Sequence, residues 1–285
     1  MKKTVYFFLL VLLVCSCEMV VKVDIPEHKP TLVLNSVIDP SEPFVAYITN
    51  SLGILDRGTI KNIDSASVEI YENDVLLEKL PFIGEGAYIS NDKKPVSGRR
   101  YKIIVDAPPY QQIQATIEVP ELVGISNIIY KESAYTDPNW GALSSITFTI
   151  HDPSSIKNYY SAGVISLDTF FFEPNSIYIH TNDPAIESAD YGSDALLFSD
   201  EHFNGKDYTL EVLFSKLYYE NREDYEIFLN IASVSKEHYL YKTSLTVHNQ
   251  TANNPFAEPA PVYTNVKNGL GIFASKNSKF YLLPK

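Results

Sequence analysis

Cysteine is almost absent from this chain. Two occur in 285 residues, Cys15 and Cys17, and no thiol follows them. A disulfide framework, a thiolate metal site and a cysteine nucleophile are therefore excluded from the body of the protein. Positive charge is also scarce: 23 Lys+Arg against 35 Asp+Glu give a formal net charge of −12. That balance argues against a nucleic-acid partner, because a phosphate backbone must be met by a basic face. Long apolar runs are missing except near the start, where Val5 to Cys15 is almost unbroken. At about 1.5 Å per residue these residues reach roughly 16 Å as a helix, about half of a hydrocarbon core. The run is too short to span, and with Lys2 and Lys3 before it the segment reads as a secretion signal.

Signatures of catalysis and cofactor binding are equally thin. Gly269-Leu270-Gly271-Ile272-Phe273-Ala274 fits a loose dinucleotide fingerprint, but the chain after it leaves no room for the helix and acidic residue that chemistry needs. It reads as a glycine-bent C-terminal strand, and no cofactor is expected. Ser-x-x-Lys occurs at Ser90, Ser154 and Ser233 without its companion motifs, and no G-x-S-x-G or phosphate-binding loop is present. Six histidines form neither H-x-H nor H-E-x-x-H. His238 and His248 on one helix would lie roughly three turns apart, too far for one ion, so no metal is expected. The acidic stretch Asp183, Glu187, Asp190, Asp194, Asp200 and Glu201 lacks calcium-loop spacing and reads as a solvated loop. The 20 Tyr, 15 Phe and lone Trp140 read first as sheet packing.

What is present begins with an address. Val14-Cys15-Ser16-Cys17 looks like a bacterial lipobox, in which Cys17 takes a diacylglyceryl group and becomes the first mature residue. Several acyl chains on one cysteine anchor stably where a single chain is marginal. Loss of Lys2 and Lys3 takes the charge to −14, so lipid rather than surface attraction holds the body at an anionic leaflet. The expected layout is a signal peptide over 1–16 and a lipidated tether over 17–30.

From Thr31 onward the pattern has period two, which predicts an all-β fold with one helix. Ala66, Val68 and Ile70 alternate with polar neighbours, and after Glu72-Asn73-Asp74 the run Val75–Leu80 returns as a hairpin. Tyr101, Ile103 and Val105 alternate, as do Ile113, Ala115, Ile117 and Val119, which together predict a β-sandwich over 31–120. A second β-rich domain, sandwich or barrel, is expected over 121–285. There Ile146, Phe148 and Ile150 alternate, as do Tyr208–Phe214 and Ile227–Ile231. Ser235 is a candidate cap for a helix near 236–249 with Glu237 in its first turn. Asn253 to Pro261 is expected to be extended, because its three prolines forbid helix.

The run Asn254-Pro255-Phe256-Ala257-Glu258-Pro259, with Val262-Tyr263-Thr264-Asn265 and Asn268–Phe273, resembles the Bacteroidota lipoproteins grouped as domain of unknown function 4249. Tyr239, Tyr241 and Asp24-Ile25-Pro26 add to the likeness. The first block is similar to the prealbumin or carboxypeptidase-regulatory sandwich through Ala66–Tyr71, Gly86-Ala87-Tyr88 and Gly98–Tyr101. The resemblance implies an outer-membrane lipoprotein, often encoded beside TonB-dependent receptors, with no assigned catalytic residue. The expected role is a non-enzymatic accessory in ligand capture or import, facing either the cell surface or the periplasm. Asn254, Phe256, Glu258, Tyr263 and Asn265 are the candidate ligand or partner contacts, although Asn254, Glu258, Tyr263 and Asn265 read first as tying a loop to its own backbone. The competing expectations are a secreted envelope hydrolase of glycans or peptides, with carboxylates from Glu258 and the 183–201 stretch, and a structural envelope protein.

Overall fold

The computed structural model describes residues 28–284 apart from 54–55, 139–140, 155, 169–173, 187–193, 216–224, 253 and 255. The leader, Cys17, the tether up to residue 27, Trp140, Glu187, Asp190 and Pro255 lie outside the described residues.

The period-two pattern becomes strand wherever apolar residues have a core to face. The first half holds β1 (Leu32–Ile38), β2 (Val45–Asn50), β3 (Ser67–Glu72), β4 (Val75–Lys79), β5 (Phe82–Gly84), β6 (Ala87–Ile89), β7 (Arg100–Asp106) and β8 (Ile113–Glu118). The second half holds β9 (Gly124–Asp137), β10 (Gly141–His151), β11 (Tyr159–Asp168), β12 (Pro174–Ile177), β13 (Ile179–His180), β14 (Ala195–Ser199), β15 (Asp207–Ser215) and β16 (Tyr225–Val234). Helix α1 (Lys236–Ala252) and the long strand β17 (Leu270–Leu282) end the fold. The fold is all-β with one helix among the described residues.

Three sheets result. A nine-stranded sheet runs β12-β11-β16-β17-β1-β2-β6-β5, with β14 paired to β11. One four-stranded sheet, β4-β3-β7-β8, faces one end of it, and another, β13-β15-β10-β9, faces the other. Each facing pair encloses its own core. Val68, Ile70, Tyr101, Ile103, Val105, Ile113 and Ile117 fill the first, and Ile146, Phe148, Ile150, Leu210, Val212, Leu229 and Ile231 fill the second. These are the inward halves of the alternating runs, buried because successive strand side chains point to opposite faces.

The strand β17 stitches the two sandwiches into one sheet. Its first half pairs in parallel with β1, from Val33↔Leu270 to Ile38↔Ser275. Its second half pairs antiparallel with β16, from Val234↔Lys276 to Phe228↔Leu282. Phe273 and Val266 therefore complete the first core although they come from the far end of the chain. Gly271 makes the crossing possible. It sits at φ +95°, and a Cβ there would lie 2.0 Å from the Leu34 carbonyl oxygen. At the junction, Asn277 Nδ2 donates to Ser97 Oγ (2.8 Å) and to the Pro120 carbonyl (3.0 Å). The Val123 amide donates to Ser233 Oγ at 3.0 Å, fixing the chain as it passes between cores.

The helix is set by its cap rather than by an apolar stripe. Ser235 Oγ accepts from the His238 amide at 3.2 Å, and Ser235 also exchanges bonds with the Ser275 backbone on β17. No residue of α1 is fully buried. The helix continues to Ala252, past 249, where Thr251 Oγ1 donates back to the Val247 and His248 carbonyls.

Candidate functional site

A recess with both apolar and cationic walls lies where α1 crosses the outer face of the nine-stranded sheet. Alternation along β1, β2 and β17 sends Leu34, Ile48 and Phe273 into the first core. The residues between them point outward. Register puts Tyr47, Asn35 and Ile272 in one row across β2, β1 and β17. Val37 and Ala274 form the next row. One face of α1 leans over these rows through His238, Tyr241 and Lys242, enclosing a groove of about 300 Å³. Tyr47, about half exposed, stands at the rim.

His238 is the unusual group there. It occupies the third helical position behind the Ser235 cap, which holds its backbone amide. Its Nδ1 is buried and has no hydrogen-bond partner among the described residues. Burial pushes its pKa down to about 4, and the Lys242 and Lys276 ammonium groups push in the same direction. The ring is therefore neutral at pH 7, with one buried nitrogen that nothing among the described residues satisfies. Lys276 approaches Asp39 only at 4.0 Å, and that carboxylate already accepts from the Ser41 and Ser278 hydroxyls.

A second arrangement lies on the outer surface of the smaller sheet in the second half. His151 at the end of β10 has Nδ1 2.7 Å from Asp207 Oδ1 on β15 and Nε2 2.8 Å from Ser126 Oγ on β9. Three neighbouring strands thus assemble a serine–imidazole–carboxylate chain. The His151 and Asp207 side chains are 43% and 70% exposed, so water competes for every bond in it. The buried carboxylates nearby serve structure. Asp152 accepts from the Tyr160 hydroxyl and from the Gly205 amide (2.7 Å), and Asp200 accepts from the Asn158 amide (2.7 Å). Burial and the Asp152 charge raise the Tyr160 and Asp200 pKa values, burial being the larger cause in each case.

The family described as Domain of unknown function (DUF4249) matches residues 18–280, spanning both sandwiches, the helix and the closing strand. The chain belongs to this family. No curated protein matches it.

In this DUF4249 chain the five residues singled out from sequence fall on or beside the loop between α1 and β17. None of them lines the groove. Asn254 Oδ1 accepts from the Phe256 amide at 3.0 Å, closing a local turn. Phe256 is 96% exposed at its tip, and Glu258 is exposed beyond it. The Tyr263 amide donates to Ser244 Oγ (2.8 Å), and the His248 ring pairs through Nδ1 with the Ala260 carbonyl (2.7 Å). The loop is thereby strapped along α1. Asn265 accepts from the Phe273 amide (3.0 Å) and donates to its carbonyl (2.7 Å), fastening the loop to β17. Of the five, Asn254, Phe256 and Glu258 are exposed.

Of the acidic stretch, Asp183 caps its own turn through the Ala185 amide (2.9 Å), and Glu201 pairs with Lys157 at 3.1 Å. No group of three or more His, Cys, Asp or Glu among the described residues is placed to hold a metal ion. The groove residues escape a reading by motif because they come from three distant stretches, 35–47, 238–242 and 272–274. The one signal in sequence is a histidine in the first turn of a capped helix.

Proposed function

We propose that this protein is an outer-membrane lipoprotein of the Bacteroidota type, held by acylation of Cys17, acting as a non-enzymatic accessory to a TonB-dependent receptor in ligand capture or import. The observation that carries the reading is Val14-Cys15-Ser16-Cys17 at the end of a short apolar run in a chain with no other thiol. The family match supports it by beginning at residue 18, directly after that cysteine. Among the described residues no helix is long and apolar enough to cross a membrane. The first sandwich, prealbumin-like in this reading, presents exposed apolar side chains such as Val75, Leu76, Phe82 and Ile83 on its two edge strands, β4 and β5. Such a patch suits contact with a larger neighbour. The groove under α1 supplies the place for a small ligand.

Detergent pull-down of the tagged protein, read by mass spectrometry, tests the partnership. Reproducible recovery of a TonB-dependent receptor is the expected result. Its repeated absence, with the receptor shown to be expressed, overturns the accessory role.

One observation favours a second reading, an envelope hydrolase: the Ser126–His151–Asp207 chain of hydrogen bonds, whose geometry matches that of an activated serine. Its exposure and its position on an open sheet face place it second. A fluorophosphonate probe decides it. Labelling of Ser126 that disappears in Ser126→Ala establishes the nucleophile; an unlabelled protein removes this reading.

A further inference from the structure

The N-terminal tether leaves the body at a fixed place. His28 Nε2 lies 2.9 Å from Ser51 Oγ, which also accepts from the Thr31 amide (3.0 Å), and Thr31 Oγ1 donates to the Asn268 carbonyl (3.2 Å). Strand pairing gathers distant stretches around that exit, because Leu32 faces Asn50, Val33 faces Leu270 and Gln114 faces Lys267. The exit therefore sits at one end of the first sandwich. The second sandwich lies toward the opposite end: β17 starts beside the exit, passes along β1 and ends against β16, 13 residues in all. At about 3.3 Å per residue that strand runs roughly 40 Å away from the exit.

The charge of that end runs against the charge of the protein. Over the whole chain Asp+Glu exceed Lys+Arg by 35 to 23. Around the exit stand Lys29, Arg57, Lys61 and Lys267, all exposed and none of them in an ion pair among the described residues. Backbone bonds fix two of these positions: the Lys61 amide donates to Asn50 Oδ1 (2.6 Å), and the Lys267 amide to the Gln114 carbonyl (2.8 Å). The acids at this end are Asp106 and Asp56, whose Oδ2 accepts from the Gly53 amide at 2.7 Å. Asp64 and Glu85 stand lower, beside the Gly86 turn. Ile60 and Leu270 are exposed among the cations. Lysine and arginine heads around apolar side chains suit the headgroup layer of a membrane, where the heads meet phosphate and the stems lie along apolar surface.

The chain that precedes the exit is long enough to bring this end onto the lipid and too short to bring the far end there as easily. Eleven peptide steps separate Cys17 from His28, at most about 40 Å when extended. Those residues carry Lys22 against Glu18, Asp24 and Glu27, so the attraction has to come from the end of the sandwich itself. We propose that the tether-exit end of the first sandwich docks on anionic lipid headgroups through Lys29, Arg57, Lys61 and Lys267, which stands the protein with its first sandwich at the membrane and its second sandwich away from it. The inference rests on the acylation of Cys17 proposed above and adds the orientation of the body. The acidic remainder of the chain is repelled by the same leaflet, which favours this pose over one lying flat.

The thiol-free body makes a clean test possible. Thr59→Cys, exposed at the exit end, and Thr136→Cys, exposed at the far end of β9, each supply a single thiol for a bimane label once Cys17 is acylated. The labelled, acylated full-length chain is reconstituted in phosphatidylcholine vesicles with or without phosphatidylglycerol, all carrying a nitroxide-headgroup lipid that quenches nearby bimane. In the anionic vesicles the label at 59 should be quenched about threefold or more over the label at 136. Each cation near an anionic surface favours contact roughly fivefold, so Lys61→Gln combined with Lys267→Gln should remove about half or more of the quenching at 59. Lys206→Gln, in the second sandwich, should leave it unaltered. Omitting phosphatidylglycerol or raising the salt should act like the paired substitution. Circular-dichroism melting curves that match wild type confirm that the variants are folded. Equal or stronger quenching at 136, or indifference to lipid charge or to the paired substitution, would each overturn the proposal. The intact mass of the same preparation separates the two readings: an acylated chain with no preferred end removes the orientation alone, and a free Cys17 removes anchor and orientation together.

Discussion

In the folded chain the His238 imidazole is held to a pKa of about 4, against about 6.5 in an unfolded chain. Burial is the first cause; Lys242 on its own helix and Lys276 on β17 add like-charge repulsion. The sign follows directly. Below 6.5 the unfolded chain takes up a proton that the folded chain refuses, so unfolding gains as the pH falls. The loss begins near pH 6.5, reaches about 2 kcal/mol at pH 5, and levels off below pH 4 at about 3 kcal/mol. His238→Gln removes the titration while keeping a polar side chain of similar reach. Urea unfolding of wild type and His238→Gln at a series of pH values from 7.5 to 4 isolates the contribution, because every other titrating group is common to both. The gap between the two stabilities should move against wild type by about 3 kcal/mol over that range, a relative midpoint shift of roughly 1 M urea. Parallel pH profiles for the two proteins would refute the reasoning, since they would mean that His238 is protonated as easily folded as unfolded.

Other outcomes follow from single contacts. Gly271→Ala places a Cβ 2.0 Å from the Leu34 carbonyl at a φ of +95°, so the parallel β1–β17 seam must shift; a loss of roughly 4 kcal/mol or more, or no soluble protein, is expected in urea unfolding. Asn265→Ala removes two bonds to the Phe273 backbone and should cost about 2 kcal/mol, read as a lowered melting temperature. Tyr160→Phe leaves the buried Asp152 carboxylate short of one donor and should cost about 2 kcal/mol in the same assay. Phe256→Ala should leave stability within about 0.5 kcal/mol, because that ring touches almost nothing in the folded chain.

Much of the fold was legible where one face of a strand is buried. The alternations at Tyr101–Val105 and Ile146–Ile150 mark inward residues that are now at or near zero exposure. The hairpin between β3 and β4 was marked by its turn residues, Asn73 and Asp74, both at positive φ. Ser235 announced the start of α1, because a hydroxyl before a run free of glycine and proline is what the first helical amides need. The strand β9 was not legible. It lies at a sheet edge, is largely exposed, and carries irregular positions at Asn127 and Ser133, so no alternation survives to mark it. The pairing of β1 with β17 was beyond reach too, because periodicity gives the face of a strand and not its partner. The groove depends on that pairing. Asn35 and Ile272 become neighbours only once the two ends of the chain lie in register, and no local pattern records it.

The proposed location and partnership both hang on Cys17. Intact-mass analysis of the N-terminal peptide from membrane-purified protein tests it directly, with fractionation of Cys17→Ser and Cys15→Ser beside it. The expected result is a chain that begins at Cys17 and carries diacylglyceryl and further acyl mass, with Cys17→Ser in the soluble fraction and Cys15→Ser still anchored. A free Cys17 thiol, or cleavage elsewhere without added lipid mass, would contradict it.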